Sequence, residues 1–211
     1  MLVLGRIQLG NWIKMELPVV IGISGASGVI YGIETLRVLS QLGVETHLIL
    51  THAGETNIEI ETNYSVKQVK EMAKVIYEPG EMTAAVASGS FLTRGMLVAP
   101  CTIKTLSGIA NSYNSNLLVR AADVTLKEKR PLVLMVRETP LHKGHLDLMS
   151  RAADLGAVIL PPVPAFYHQP KTIEDLIRQS VGKALDSLKI EHELFRRWGS
   201  LAGQNPTNQG F

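Results

Sequence analysis

Five short apolar runs, "PVVIGIS", "VETHLILT", "GMLVAP", "PLVLMVR" and "GAVILP", alternate with stretches whose apolar residues recur at helical spacing. None of the runs alternates apolar with polar positions, so each reads as a strand buried on both faces. Such strands belong to parallel sheets, whose crossover helices cover both sides. The spacing predicts helices over 27–42, 102–112, 116–129, 145–155 and 172–188. The expected fold is α/β, a single doubly wound and mostly parallel sheet in three layers. Ligands of such sheets gather outside the carboxyl ends of the strands, so the residues just after each run carry the functional information.

At 211 residues the chain falls in the size range of one domain and should bury about 70% of its unfolded surface. Its net charge of +2, from 21 basic and 19 acidic residues, implies no general polyanion-binding surface, so nucleic acid is not an expected partner. Cys101 is the only cysteine, which excludes an intrachain disulfide and points to a reducing, cytoplasmic setting. No apolar run is long enough to span a bilayer. The opening "MLVLGRIQLGNWIKMEL" lacks the pattern of a cleaved leader; residues 1–16 read as an extension, and Met15 is an alternative start. The domain is expected over 17–198, followed by a polar Gly/Pro/Asn-rich tail over 199–211.

The first run leads into "GISGASG", within a stretch from Val19 to Gly32 that holds four glycines. A turn of this kind brings bare N–H groups and the positive end of a helix against a phosphate. Its G-x-x-G-x-x-G spacing only approximates the dinucleotide fingerprint, and the end of the second run decides between ligands. A dinucleotide site has an acid there for the ribose hydroxyls, whereas this chain has Thr51 and His52. A carboxylate repels a phosphate; a threonine hydroxyl donates to one. Ser24, Ser27 and Thr51 therefore favour the terminal phosphate of a mononucleotide such as FMN over the pyrophosphate of NAD. The plainer reading is that the glycines only tighten a strand-to-helix turn.

After "GMLVAP" comes "CTIKTLSG", a second helix start suited to an anion, with Thr102, Ile103, Lys104 and Thr105 in its first turn. "PLVLMVR" ends in Arg137 and Glu138, and "GAVILP" leads to Tyr167. Arg120 and Lys127 are seven residues apart and share a helix face, while Lys183 comes from the last helix. Each lysine alone is ordinarily a solvated charge, but an arginine closing a buried strand needs a partner or a ligand. Cys101 reads as a small core residue, and "HKGH" (His142, His145) lacks the carboxylate or thiol partners of a metal site.

The segments "GISGASG", "ETNYS", "ASGS", "LLVRAADVTLKEKRPLVLMVRETP", "GAVILPPVPAFYHQP" and "RRWG" resemble the UbiX-type flavin prenyltransferases from Val19 to Trp198. The resemblance implies a Rossmann-like or flavodoxin-like fold that binds reduced FMN and attaches a dimethylallyl group, from dimethylallyl phosphate, to its N5 and C6. It implies a UbiD-type decarboxylase as recipient of the product, and a homododecamer built from trimers. By position, Gly25, Ala26 and Ser27 match the family's FMN turn, and Thr51 matches its hydroxyl after the second strand. Thr102, Ile103, Lys104 and Thr105 match a second flavin-contacting segment, and Arg137 a further contact. Glu61 and Ser88 to Ser90 match active-site loops. Tyr167 and Lys183 match the binders of the prenyl phosphate, with Arg120, Lys127 and Glu138 alongside. The family often has arginine at position 183; lysine keeps the charge but loses the bidentate fork. Trp198 matches an aromatic that closes over the allyl group, in a segment the family orders across a subunit contact.

These residue types suit that chemistry. Cleaving the C–O bond leaves a phosphate dianion and an allylic cation, so the site must stabilise opposite charges side by side. Arg120, Lys127, Lys183 and Tyr167 hold the phosphate in this reading, with no metal required. Trp198 offers a π face to the cation. Glu138 is the candidate acid/base for the proton that ring closure releases, with Ser27 as a relay and the leaving phosphate as a rival base. An Arg137–Glu138 ion pair is the structural alternative. Two other readings compete: a flavin-dependent cysteine decarboxylase, disfavoured because "ETPLHKGHLDLM" replaces its Asn/Met-rich segment, and a non-catalytic FMN-binding module, which needs no cationic cluster.

Overall fold

The computed structural model describes residues 17–199, so the expected extension over 1–16, with Met15, and the tail beyond Gly199 lie outside the described residues. Six strands, β1 (Val19–Ile23), β2 (Thr46–Leu50), β3 (Val75–Tyr77), β4 (Gly95–Cys101), β5 (Leu132–Val136) and β6 (Val158–Ile159), form one sheet in the order β3-β2-β1-β4-β5-β6. Every pairing is parallel. The helices are α1 (Ile30–Gln41), α2 (His52–Glu61), α3 (Val66–Glu71), α4 (Ile103–Ala110), α5 (Leu117–Lys127), α6 (Lys143–Asp154) and α7 (Ile173–Ser187). The winding reverses between β1 and β4, which opens a crevice above their carboxyl ends.

The core is two layers deep because consecutive strand residues point to opposite faces. Val19, Ile21 and Ile23 of β1 join Leu48, Leu50, Leu97, Val133 and Met135 in a cluster with α1 and α7. Val20, Ile49, Met96, Val98, Leu132 and Leu134 face the other way, into a cluster with α4, α5 and Ala152 of α6. Burying each of these side chains is worth about 1.5–3 kcal/mol, which outweighs any local preference of so short a segment. Cys101 sits in the second cluster, fully buried, and burial pushes its thiol up to about 12. It is a core residue, as its sequence context indicates.

Five strands are legible from sequence; β3 is not. It is a three-residue edge strand with its middle residue exposed. α2 and α3 also go unassigned, because only Gly54 and Ile58 of the first and Val69 of the second are buried, too few to set a period. The run "GAVILP" pairs only over Val158–Ile159.

Candidate active site

A cleft of about 430 Å³ opens at the switch point, and its wall includes Gly25, Thr51, Ala53, Thr102, Lys104 and Asn116. Three helices start there. The Thr51 hydroxyl caps α2 by accepting from Gly54 N at 3.1 Å, Thr102 caps α4 by accepting from Thr105 N at 3.0 Å, and Asn116 caps α5 by accepting from Val119 N at 3.0 Å. Each cap is worth about 1 kcal/mol and fixes its helix start against the cleft. The free N–H groups of the first turns, with their positive dipole ends, face the same space. Gly25 permits this convergence, since a Cβ there would stand 2.3 Å from Ala53 Cβ. Among the described residues, no carboxylate lines the cleft. Its donor set fits a phosphate.

Two details differ from the sequence reading. The Ser24 hydroxyl is not free for a phosphate: it donates to Pro100 O at 2.8 Å and accepts from Thr102 N at 2.9 Å, tying the end of β1 to the end of β4. The start of α1, straight after the glycine turn, holds a carboxylate. Glu61 Oε2 accepts from Gly28 N at 2.7 Å and from Val29 N at 3.4 Å. The phosphate-compatible helix starts are therefore those of α2, α4 and α5, and the glycine turn contributes Gly25 as a spacer. Ala26 is half-buried and Ser27 exposed, outside the cleft lining. Glu61 is the last residue of α2 and lies 33 positions along the chain from Gly28, the residue that follows Ser27.

Arg137 and Glu138 follow β5, both exposed. They form no ion pair with each other among the described residues; Glu138 Oε1 instead accepts from Thr139 N at 3.1 Å. The phenol of the half-buried Tyr31 of α1 is pushed up by burial and drawn back by the charge of Arg137. The structural alternative for this pair is thus not realised.

The expected phosphate-binding cations are split between two layers. Arg120 and Lys127 lie on α5, in the layer of the second cluster, and Lys183 lies on α7, in the layer of the first. Each has an acidic neighbour. Arg120 Nη1 donates to Asp123 Oδ2 at 2.9 Å and its Nε to Ala87 O at 3.1 Å. Lys127 pairs with Glu128, whose carboxyl the ammonium holds below the usual range. Lys183 Nζ is 3.8 Å from Asp186 Oδ2. Lys127 also lies over the "ASGS" loop, where a Cβ at Gly89 would stand 2.7 Å from its Nζ. Arg130, which the sequence does not single out, holds that loop by donating to Gly89 O and Phe91 O, each at 2.7 Å.

Tyr167 and Trp198 do meet, edge to face, with ring centroids 5.6 Å apart and planes at 86°. The segment bearing Trp198 is docked on α7 of its own chain through an Arg197–Asp186 pair at 2.7 Å. His142 and His145 stack with centroids 3.6 Å apart, and His142 Nδ1 accepts from Gly144 N at 3.0 Å as the cap of α6.

Fold and cleft together define a mononucleotide-binding α/β protein, and residues 13–184 match the family model described as Flavoprotein. Flavin prenyltransferase UbiX of Thauera aromatica is 55% identical over 182 residues, covering 86% of this chain and 94% of that protein. The chain belongs to the flavin prenyltransferase family. Among solved structures, AnUbiX (PadA1) in complex with FMN and dimethylallyl pyrophosphate matches with a TM-score of 0.85 and 45% identity over 87% of this chain and 97% of that one. A dodecameric FMN-dependent Ubix-like decarboxylase from Escherichia coli O157:H7 matches with 0.84 and 42% over 86% and 99%. The FMN-dependent cysteine decarboxylase TvaF, at 0.60 and 18% identity over 82% and 99%, shares the fold alone.

Proposed function

We propose that this protein transfers the dimethylallyl group of dimethylallyl phosphate to N5 and C6 of reduced FMN, and that the prenylated flavin serves a UbiD-type decarboxylase. The observation that carries this reading is 55% identity with a flavin prenyltransferase across 86% of the chain. The cleft, without acids among its described lining residues, supports it independently, because a mononucleotide phosphate fits its donors.

In this reading Gly25, Ala26, Ser27, Thr51 and the segment Thr102, Ile103, Lys104, Thr105 hold the flavin, with Arg137 as a further contact. When bound, the flavin supplies the nucleophilic atoms and a π face. Arg120, Lys127, Lys183 and the Tyr167 hydroxyl neutralise the phosphate as the C–O bond breaks. Trp198 covers the allyl group, an attraction worth about 2 kcal/mol once water is excluded. Glu138 takes the proton, and Glu61 and Ser27 sit at the turn beside the flavin. Since α5 and α7 cover opposite faces of the sheet, Arg120 and Lys127 of one copy meet Lys183 and Tyr167 of another in a homododecamer built from trimers. That assembly gives the phosphate both sets of cations.

Anaerobic incubation of reduced FMN with either dimethylallyl phosphate or the pyrophosphate, followed by mass spectrometry of the flavin, tests the reading. A flavin heavier by one dimethylallyl group is expected from at least one of the two donors. Unmodified flavin from both donors contradicts it.

A further inference from the structure

We propose that Asp186 is a positioning residue: it seats the 192–198 segment on α7 and thereby sets where Trp198 and Lys183 stand relative to the prenyl substrate. The proposal rests on the function proposed above and adds the device that orients one end of the site.

One carboxylate gathers three cationic or donor groups. Asp186 Oδ1 accepts from Arg197 Nη2 at 2.7 Å and Oδ2 from Arg197 Nη1 at 3.0 Å, a two-pronged contact that fixes the guanidinium plane. His192 Nε2 lies 3.2 Å from Oδ1, and Lys183 Nζ 3.8 Å from Oδ2. The His192 tautomer follows from its contacts. Its Nδ1 accepts from Leu194 N at 3.2 Å, so Nε2 carries the proton, shared between Asp186 and Gly182 O at 2.9 Å. Burial raises the Asp186 carboxyl, but Arg197, His192 and Lys183 outweigh that and hold it below the ordinary value of 3.8.

The helix is also shaped for the segment. Gly182 is a disfavoured residue in the interior of α7, and a Cβ there would stand 2.6 Å from Phe195 Cε1 and 2.7 Å from His192 Cε1. The missing side chain is the seat for those two rings. Phe195 then lies under the Arg197 guanidinium, 5.4 Å from ring centroid to carbon. The next residue is Trp198, which meets Tyr167 edge-on. Asp186 thus stands 3.8 Å from the Lys183 ammonium of its own helix and ties Trp198, through its neighbour Arg197, to that helix. A surface salt bridge with no further task needs neither the glycine seat nor the second and third partners.

The test uses the full-length FMN-loaded protein carrying Trp12→Phe, which leaves Trp198 as the sole tryptophan. Asp186→Asn, Arg197→Gln, their combination and Gly182→Ala are compared by time-resolved anisotropy of Trp198 and by turnover of dimethylallyl phosphate. Each variant is expected to add fast motion at Trp198 and to lower kcat/KM about tenfold, with FMN affinity unchanged. The double variant should be no worse than the poorer single one, and Asp186→Glu should recover part of both signals. Gly182→Ala leaves every charge in place, so it tests the seat even if Asp186→Asn folds poorly. Unchanged anisotropy and kcat/KM in both, or losses from Asp186→Asn and Arg197→Gln that multiply, overturn the proposal. If the parent protein does not turn over dimethylallyl phosphate, the proposed function fails, while anisotropy alone still decides whether Asp186 seats the segment.

Discussion

The proposed flavin end of the site and the proposed prenyl-phosphate end are built from different materials. At the proposed flavin end the donors are backbone N–H groups at three helix starts, each fixed by its own cap, in a cleft with no carboxylate among its described lining residues. At the other end they are side chains on exposed or half-exposed helix positions, and Asp123, Glu128 and Asp186 sit beside them. Backbone donors are fixed by the fold and cannot swing away as a side chain can. Long cationic side chains gather carboxylates from their own helix, and the sheet keeps α5 apart from α7. In the proposed function a second copy completes the grip at the prenyl-phosphate end.

The largest expected effect lies between the two ends. Glu138→Gln keeps an oxygen for Thr139 N but abolishes proton exchange, so turnover should fall by about 10² to 10⁴ while FMN and dimethylallyl phosphate still bind. Turnover at the parent rate makes the leaving phosphate the base. Next comes Thr51→Asp, which caps α2 as well as threonine but sets a negative charge beside the flavin phosphate. Two charges about 4 Å apart near a protein surface repel by about 4 kcal/mol, so FMN affinity should drop by about 10²-fold or more in a fluorescence titration. Thr51→Ser should bind FMN as the parent does; equal binding by all three removes Thr51 from the site.

Lys127→Ala probes the other end. Loss of one charge-assisted contact should lower kcat/KM for dimethylallyl phosphate by roughly ten- to a hundredfold and leave FMN affinity alone. A loss of FMN binding instead would erase the distinction between the ends. The smallest effect belongs to Cys101. Its native thiol ionises only near 12, so iodoacetamide at pH 8 should leave the folded protein unmodified and active, yet label it in denaturant. The unfolded thiol ionises from about 8.5, so it binds fewer protons than the native one above that pH, and stability should decline as pH rises from there toward 12.

How much of this is legible in sequence follows the same division. The strand pattern and the absence of an acid after β2 are local features, and they point to a parallel sheet and a mononucleotide. What the glycine turn does is not local. Glu61 reaches the start of α1 from the end of α2, and Ser24 turns toward Pro100, so which helix starts remain open depends on packing. Asn116 is a recognisable cap, yet only the fold shows that α5 begins at the cleft. Arg120, Lys127 and Lys183 are identifiable by resemblance, but their separation by the sheet is a property of topology. Gly182 leaves a trace, a glycine inside a helical period at a cost of about 1 kcal/mol, whose meaning appears only with Phe195 beside it.

Subunit complementation tests the central claim most directly. Lys127→Ala and Lys183→Ala each remove a cation from one layer, and each alone is expected to lose roughly ten- to a hundredfold in kcat/KM. Co-expressed and purified as mixed oligomers, they should recover measurable prenyl transfer, because some sites then draw Lys127 from a Lys183→Ala copy and Lys183 from a Lys127→Ala copy. If the mixed oligomers are no more active than either variant, the cations converge within one chain and the division between the two ends is wrong.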